Sequence, residues 1–218
     1  MKAAADLRPA LEQGLSALGL KLQEAQCEQL MSYLDLIGKW NRVYNLTAVR
    51  DPGQMLTHHL LDCLAALSPL HRHLTQAARA KGRLLDVGSG AGLPGIVFAL
   101  GCPDLQVSCV DTVGKKAAFI AQAAASLALK NLAGVHARVE SLTGPFDVIS
   151  SRAFATLADF VAGSRQALAP GGIWLAMKGR HPASEMAALP ADVDVFRVEP
   201  LVVPGLDAER CIVWMRLR

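Results

Sequence analysis

Cysteine is scarce and odd in number: Cys27, Cys63, Cys102, Cys109 and Cys211, with no two at C-x-x-C spacing. That pattern supports neither a disulfide framework nor a zinc site, and it predicts reduced, mostly buried thiols and no metal. Charge is sparse too. Charged residues make up 19% of the chain against 52% hydrophobic, which excludes an intrinsically disordered protein. The formal net charge is only +3, a sum that permits a nucleic-acid partner but that ordinary surface lysines also produce. Long apolar runs are missing: the most apolar window, near Leu93–Leu100, is too short and too glycine-rich to span a bilayer. Met1–Pro9 lacks the apolar core of a signal peptide. These absences predict a soluble, cytoplasmic protein with no membrane partner. Nor does any histidine–carboxylate pair or catalytic cysteine present itself.

What the chain does have is Leu84-Leu85-Asp86-Val87-Gly88-Ser89-Gly90-Ala91-Gly92-Leu93-Pro94-Gly95. It reads as a buried strand, a glycine-rich turn where backbone can approach a ligand closely, and a proline opening a helix. A second apolar run, Val107–Val110, ends at Asp111, an acid placed to accept hydrogen bonds from a ribose. An adenosine-containing ligand is therefore expected. Gly90-x-Gly92-x-x-Gly95 matches the dinucleotide fingerprint, which alone is a weak signal. Asp86 before Gly88 favours S-adenosylmethionine, because a carboxylate suits an ammonium or sulfonium group better than a pyrophosphate. Asp86 also reads as a residue that caps its own turn.

At 218 residues the chain fits one domain with an appendage. Residues 1–80 read as a helical extension. Leu30, Tyr33, Leu34, Ile37 and Trp40 repeat at helical spacing between Gln23 and Trp40, and a polar, aromatic turn follows over Asn41–Thr47. Asp51-Pro52 then signals a new helix start, burying Met55, Leu56, Leu60, Cys63 and Leu67. Over 81–218 strands alternate with helices, which implies a parallel sheet. Strands are expected near 84–87, 107–110, 134–139, 147–150, 173–177, 193–202 and 211–217. Helices are expected near 94–100, 115–129, 156–168 and 182–189. The last two strands are joined by a loop too short for a crossover helix, so they pair antiparallel. This α/β pattern, Rossmann-like with a reversed C-terminal hairpin, resembles the class I S-adenosylmethionine-dependent methyltransferases.

Further segments sharpen the resemblance: Lys39–Pro52, His59-Leu60-Leu61-Asp62-Cys63, Ser151-Arg152-Ala153-Phe154-Ala155, Met177-Lys178-Gly179 and Pro204–Arg210. With the glycine loop they resemble the bacterial small-subunit rRNA methyltransferase G (RsmG, or GidB) family from about Leu20 to the last strand. Departures are mild: Ser89 stands where threonine is usual and Cys63 where serine is common. The resemblance implies methyl transfer from S-adenosylmethionine to N7 of a guanine (guanine-527, in a decoding-region loop) of 16S rRNA in the small ribosomal subunit. It also implies a cofactor pocket lined by Gly88, Leu93, Val139, Glu140 and Arg152, with Asp111 as the acid ending the second strand.

The residues themselves agree, since Gly88, Asp111, Glu140 and Arg152 fall just past strand ends, where open α/β sheets bind ligands. Gly90 belongs to the same loop, and Asp86 or nearby backbone is expected to receive the methionine ammonium. Glu140 also reads as a solvated strand-end acid, and Arg152 as a surface partner of Asp147. Guanine N7 carries a lone pair and no proton, so catalysis is expected to be positioning, without a general base. RNA contacts are expected from Lys178, Lys115 with Lys116, Arg180, and from Arg42 and Arg50. Trp40, Tyr44 and Phe154 are possible stacking surfaces, although Trp40 and Tyr44 read first as pins for the helical extension. His58 and His59 read as structural, Cys102 and Cys109 as unactivated, and the protein as a monomer. Other readings stay open at this level: a methyltransferase for another RNA, a protein or a small molecule, an NAD-dependent oxidoreductase, or a catalytically silent RNA-binding scaffold.

Overall fold

The computed structural model describes residues 7–79 and 81–218; residues 1–6, within the Met1–Pro9 segment, and Ala80, at the edge of the extension, lie outside that set. Helix α1 (Arg8–Ala17) starts on a proline-bearing first turn. Helix α2 (Glu24–Tyr44) starts on a reciprocal cap in which the Gln23 amide donates to Gln26 Oε1 at 2.8 Å. It runs four residues past Trp40, so Asn41–Tyr44 are helical rather than a turn, and Asn45 closes it in the left-handed region at φ 49°. Only then does the chain bend, with Asn41 holding the bend through Thr47 N (2.9 Å) and Val49 O (3.1 Å).

Helix α3 (Pro52–Met55) begins as the Asp51-Pro52 signal predicts: Asp51 Oδ1 accepts from Gln54 N at 2.9 Å. It continues through a π-helical segment, Leu56–Leu61, into α4 (Asp62–Ala65) and α5 (Leu67–Gln76). The wider π turn shifts the register, so His59 and Asp62 face inward alongside the expected apolar residues.

The sheet comprises β1 (Arg83–Val87), β2 (Gln106–Asp111), β3 (Leu132–His136), β4 (Phe146–Arg152), β5 (Leu168–Lys178), β6 (Val193–Leu201) and β7 (Arg210–Leu217). Between them lie α6 (Gly95–Gly101), α7 (Gly114–Ser126), α8 (Leu157–Ser164) and α9 (Ala183–Ala187). Strand order is β3-β2-β1-β4-β5-β7-β6, with β1 to β5 parallel and β7 antiparallel to both its neighbours. The reversed hairpin is the predicted one, and β7 is its inner strand: Ile212, Val213, Trp214 and Met215 are buried along it.

Two corrections have simple causes. Strand β3 ends at His136, not Val139, because its partner β2 ends at Asp111; Val139 and Glu140 then fall in a short 3₁₀ turn. Helix α7 stops at Ser126 because Ala128 takes the left-handed conformation (φ 54°) and Leu129 N returns to Ala124 O. Alanine in that role leaves no sequence signal.

Both faces of the sheet are covered. On one, Leu30, Leu34 and Ile37 of α2 share a core with Phe98 and Phe119; on the other, Leu157, Phe160 and Val161 of α8 pack with Trp174 and Val87. Among the described residues, no helix is long and apolar enough to cross a membrane.

Candidate functional site

The parallel strands reverse order between β1 and β4, and their carboxyl ends open there, where such sheets bind ligands. At this crevice lies a cavity of about 430 Å³ whose lining includes Gly88, Asp111, Val139, Glu140 and Phe154. Gly88 has φ +66°, and a Cβ on it would stand 2.4 Å from the Phe154 ring. No other residue satisfies both the conformation and the contact. Gly90 donates its amide to Asp111 Oδ2 at 3.0 Å, while Val113 N reaches Oδ1 at 2.9 Å. Asp111 is thereby held by two amides, with Lys116 Nζ at 3.8 Å, and its two oxygens retain unused lone pairs. Val139 is buried and Glu140 exposed at the rim.

Asp86 departs from expectation. It is fully buried beneath the loop, where Ser150 Oγ donates to Oδ1 (2.8 Å) and Gly95 N to Oδ2 (3.1 Å). Its side chain lines neither cavity and braces the loop, as the capping alternative anticipates, with Ser89 Oγ also bonded to its carbonyl. Burial pushes its carboxyl up to about 6, against the hydrogen bonds it accepts. Gly95 must be glycine for that contact, since a Cβ would stand 2.2 Å from Cys109 Sγ. Leu93 is likewise buried in the core below the loop, and its side chain lines neither cavity described here. Tyr33 of α2 fixes the loop from above, donating its hydroxyl to Ala91 O.

Arg152 lies in a second cavity of about 270 Å³, which adjoins the first at Ala153. It does not pair with Asp147, which is taken by Arg79 at 2.8 Å. Instead Arg152 Nη1 donates to Asp62 Oδ2 and to His58 O, each at 2.8 Å, and Arg210 Nε reaches Asp62 Oδ1 at 2.8 Å. Asp62 and Arg210 were not singled out from the sequence. Both lie in segments that carry the family resemblance, but nothing in a linear reading joins positions separated by 90 and 148 residues.

The expected RNA contacts scatter. Lys178 lines the second cavity, but its ammonium is committed to Glu185 Oε2 (2.8 Å) and Ala155 O (3.2 Å), so it is not the free cation a strand end suggested. Arg180, Arg42 and Arg50 are exposed. Lys115 lies over the Tyr44 ring at 5.4 Å, and Tyr44 stays 44% exposed. Trp40 packs edge-on against Phe119 of α7 at 5.3 Å, a pin between extension and sheet. His59 is buried with Nε2 2.8 Å from Thr47 Oγ1; burial, then the charge of Arg152, lowers it to about 4, so it stays neutral. Burial pushes the Cys102 thiol up to about 12 and Cys109 well above its ordinary value, leaving neither activated.

Comparison with known proteins gives consistent results. A family model described as rRNA small subunit methyltransferase G matches residues 26–213. The chain is 69% identical over 212 residues to "Ribosomal RNA small subunit methyltransferase G" of Acidovorax sp. (strain JS42), covering 95% of this chain and 94% of that one. It is 62% identical over 212 residues to the protein of the same name from Polaromonas naphthalenivorans (strain CJ2), covering 97% and 96%. Among solved structures it resembles the glycopeptide N-methyltransferase MtfA complexed with S-adenosyl-L-homocysteine (TM-score 0.56, 14% identity, 70% of this chain and 90% of that one). It also resembles a SAM-dependent methyltransferase from Aquifex aeolicus (TM-score 0.54, 14% identity, 80% and 97%). These last two share the class I methyltransferase fold.

Proposed function

Because the chain belongs to the rRNA small subunit methyltransferase G family, we propose that it methylates N7 of a guanine, guanine-527 of 16S rRNA, using S-adenosylmethionine. The observation that carries this reading is the cavity at the β1/β4 reversal, which Asp111 lines together with Gly88. These residues fit the cofactor. Asp111 receives the ribose hydroxyls and the Val139-Glu140 backbone meets the adenine edge. Gly88, Gly90 and Arg152 would hold the methionine portion, while Asp86 and Leu93 support the loop from below.

When bound, the cofactor supplies an electrophilic methyl group on a sulfonium sulfur. Guanine N7 offers a lone pair without a proton, so the residues around it have no proton to remove. Their work is to hold N7 in line with the carbon–sulfur bond, a positioning task that can account for much of a rate enhancement. The target base must leave its stack to enter. Lys115 and the exposed Arg180 contact the RNA around it in this reading, and Lys178 serves through its tie to Glu185, which anchors the strand end. We take residues 1–80 as a helical extension of a methyltransferase unit over 81–218, and the protein to act as a cytoplasmic monomer.

The test uses small subunits from a bacterium lacking its own version of the enzyme, incubated with the protein and methyl-labelled S-adenosylmethionine. Chemical cleavage at N7-methylguanine should give one new break, in the decoding-region loop. Label at another atom or in another RNA would refute the assignment.

A further inference from the structure

The second cavity holds more cation than it balances. Of its lining cations Lys178 is balanced by Glu185, whereas Arg152 and Arg210 share the single carboxylate of Asp62. A guanidinium has five N–H donors. Arg152 uses only Nη1, and Arg210 uses Nε and Nη1 (the latter on Glu209 O at 2.8 Å). Among the described residues, Nε and Nη2 of Arg152 and Nη2 of Arg210 have no protein acceptor. The Asp62 side chain is only 4% exposed, whereas those of Arg152 and Arg210 are 20% and 23% exposed. Asp62 is therefore a buried tether, and the two arginines that line the cavity keep the exposure and the unused donors. Planar donors held in fixed orientation suit an oxyanion.

We propose that Arg210, tethered by Asp62 beside Arg152, contacts a backbone phosphate of the target RNA. The inference rests on the functional reading above. A cofactor carboxylate would present the same chemistry, and sheet order argues against it at Arg210. The cofactor cavity lies over β1, β2, the turn after β3 and Ala153-Phe154 after β4. Arg210 opens β7, two strand spacings beyond β4, the last strand whose end borders the cofactor cavity, or roughly 10 Å at ordinary strand separation. That end of the crevice is the one left for the substrate strand.

The experiment compares the parent protein with Arg210→Gln and Leu201→Glu, the latter placing a negative charge in the same cavity without touching the tether. Three quantities are read: calorimetric affinity for S-adenosylmethionine, KM for small subunits, and the dependence of that KM on salt. Both variants should keep cofactor affinity within about twofold and raise KM for subunits by about tenfold. Arg210→Gln should also reduce the log–log salt slope by about 0.7 to 0.9, the share of one phosphate contact. If Arg210→Gln fails to fold, Leu201→Glu alone decides the matter. A parallel loss of cofactor affinity would assign the cavity to the cofactor and overturn the proposal, as would unchanged KM and slope in the folded variants. Failure of the parent protein to methylate any RNA would instead remove the functional reading, and the phosphate contact with it.

Discussion

Asp111 and His59 are both nearly buried, yet one faces a cavity and the other does not, and the consequences differ. Asp111→Ala removes the carboxylate proposed to hold the ribose. A charge-assisted hydrogen bond is worth about 1.5–3 kcal/mol, so cofactor affinity should fall roughly tenfold to a hundredfold by calorimetry. Unchanged affinity in a folded variant would refute the ribose role. For His59, the folded chain refuses a proton that the unfolded chain accepts between about pH 6.5 and its lowered value of about 4. Stability is therefore lost as pH falls through that window, by up to roughly 3 kcal/mol at its acid end. Asp86, raised to about 6, acts in the opposite sense, its proton favouring the folded state below that pH. Denaturant titrations from pH 7 to 4 should show the acid slope flattened in His59→Gln; an unchanged slope would show that His59 does not titrate this way. At this scale Asp111 was legible because a strand end followed by an acid is a local pattern. Asp62 was not, because its partners, Arg152 and Arg210, meet it only through the fold.

The glycine loop is the element whose sequence and geometry agree most closely. Gly88 combines a left-handed backbone with contact to Phe154, so Gly88→Ala meets both backbone strain and a clash. Strain of this kind costs about 1–3 kcal/mol. The variant should melt several degrees lower and lose cofactor binding, and Phe154→Ala in the same chain should relieve the clash but not the strain. Full recovery in the double variant would show that the backbone conformation is not needed. Other elements were less readable. The α3 start was announced by Asp51-Pro52, but the π turn after it was not, since one extra residue per turn leaves a nearly helical apolar pattern. That turn decides the inward aim of Asp62, and so the second cavity. The ends of β3 and α7 were missed for similar reasons: a partner strand that runs out, and an alanine in a glycine's role.

Across the whole molecule, the helical extension and the sheet are not independent in packing. Leu30, Leu34 and Ile37 of the extension are at most 1% exposed and share a core with Ile96, Phe98 and Phe119. Uncovering such side chains costs about 1.5–3 kcal/mol each, against a typical total stability of about 5–15 kcal/mol. Residues 81–218 expressed alone should therefore fail to show a cooperative unfolding transition in urea. A sharp transition with parent-like midpoint would show that the methyltransferase unit folds without its cover. By itself, the linear chain determined the alternation of strands and helices, the reversed hairpin, the glycine loop and the acid ending β2, because each is written in neighbouring residues. Only the tertiary structure decided that Asp86 braces rather than binds, that Lys178 is already paired, and that Asp62 draws Arg152 and Arg210 to one cavity. Burial and charge pairing join residues far apart in sequence, and no local pattern records which distant groups will meet.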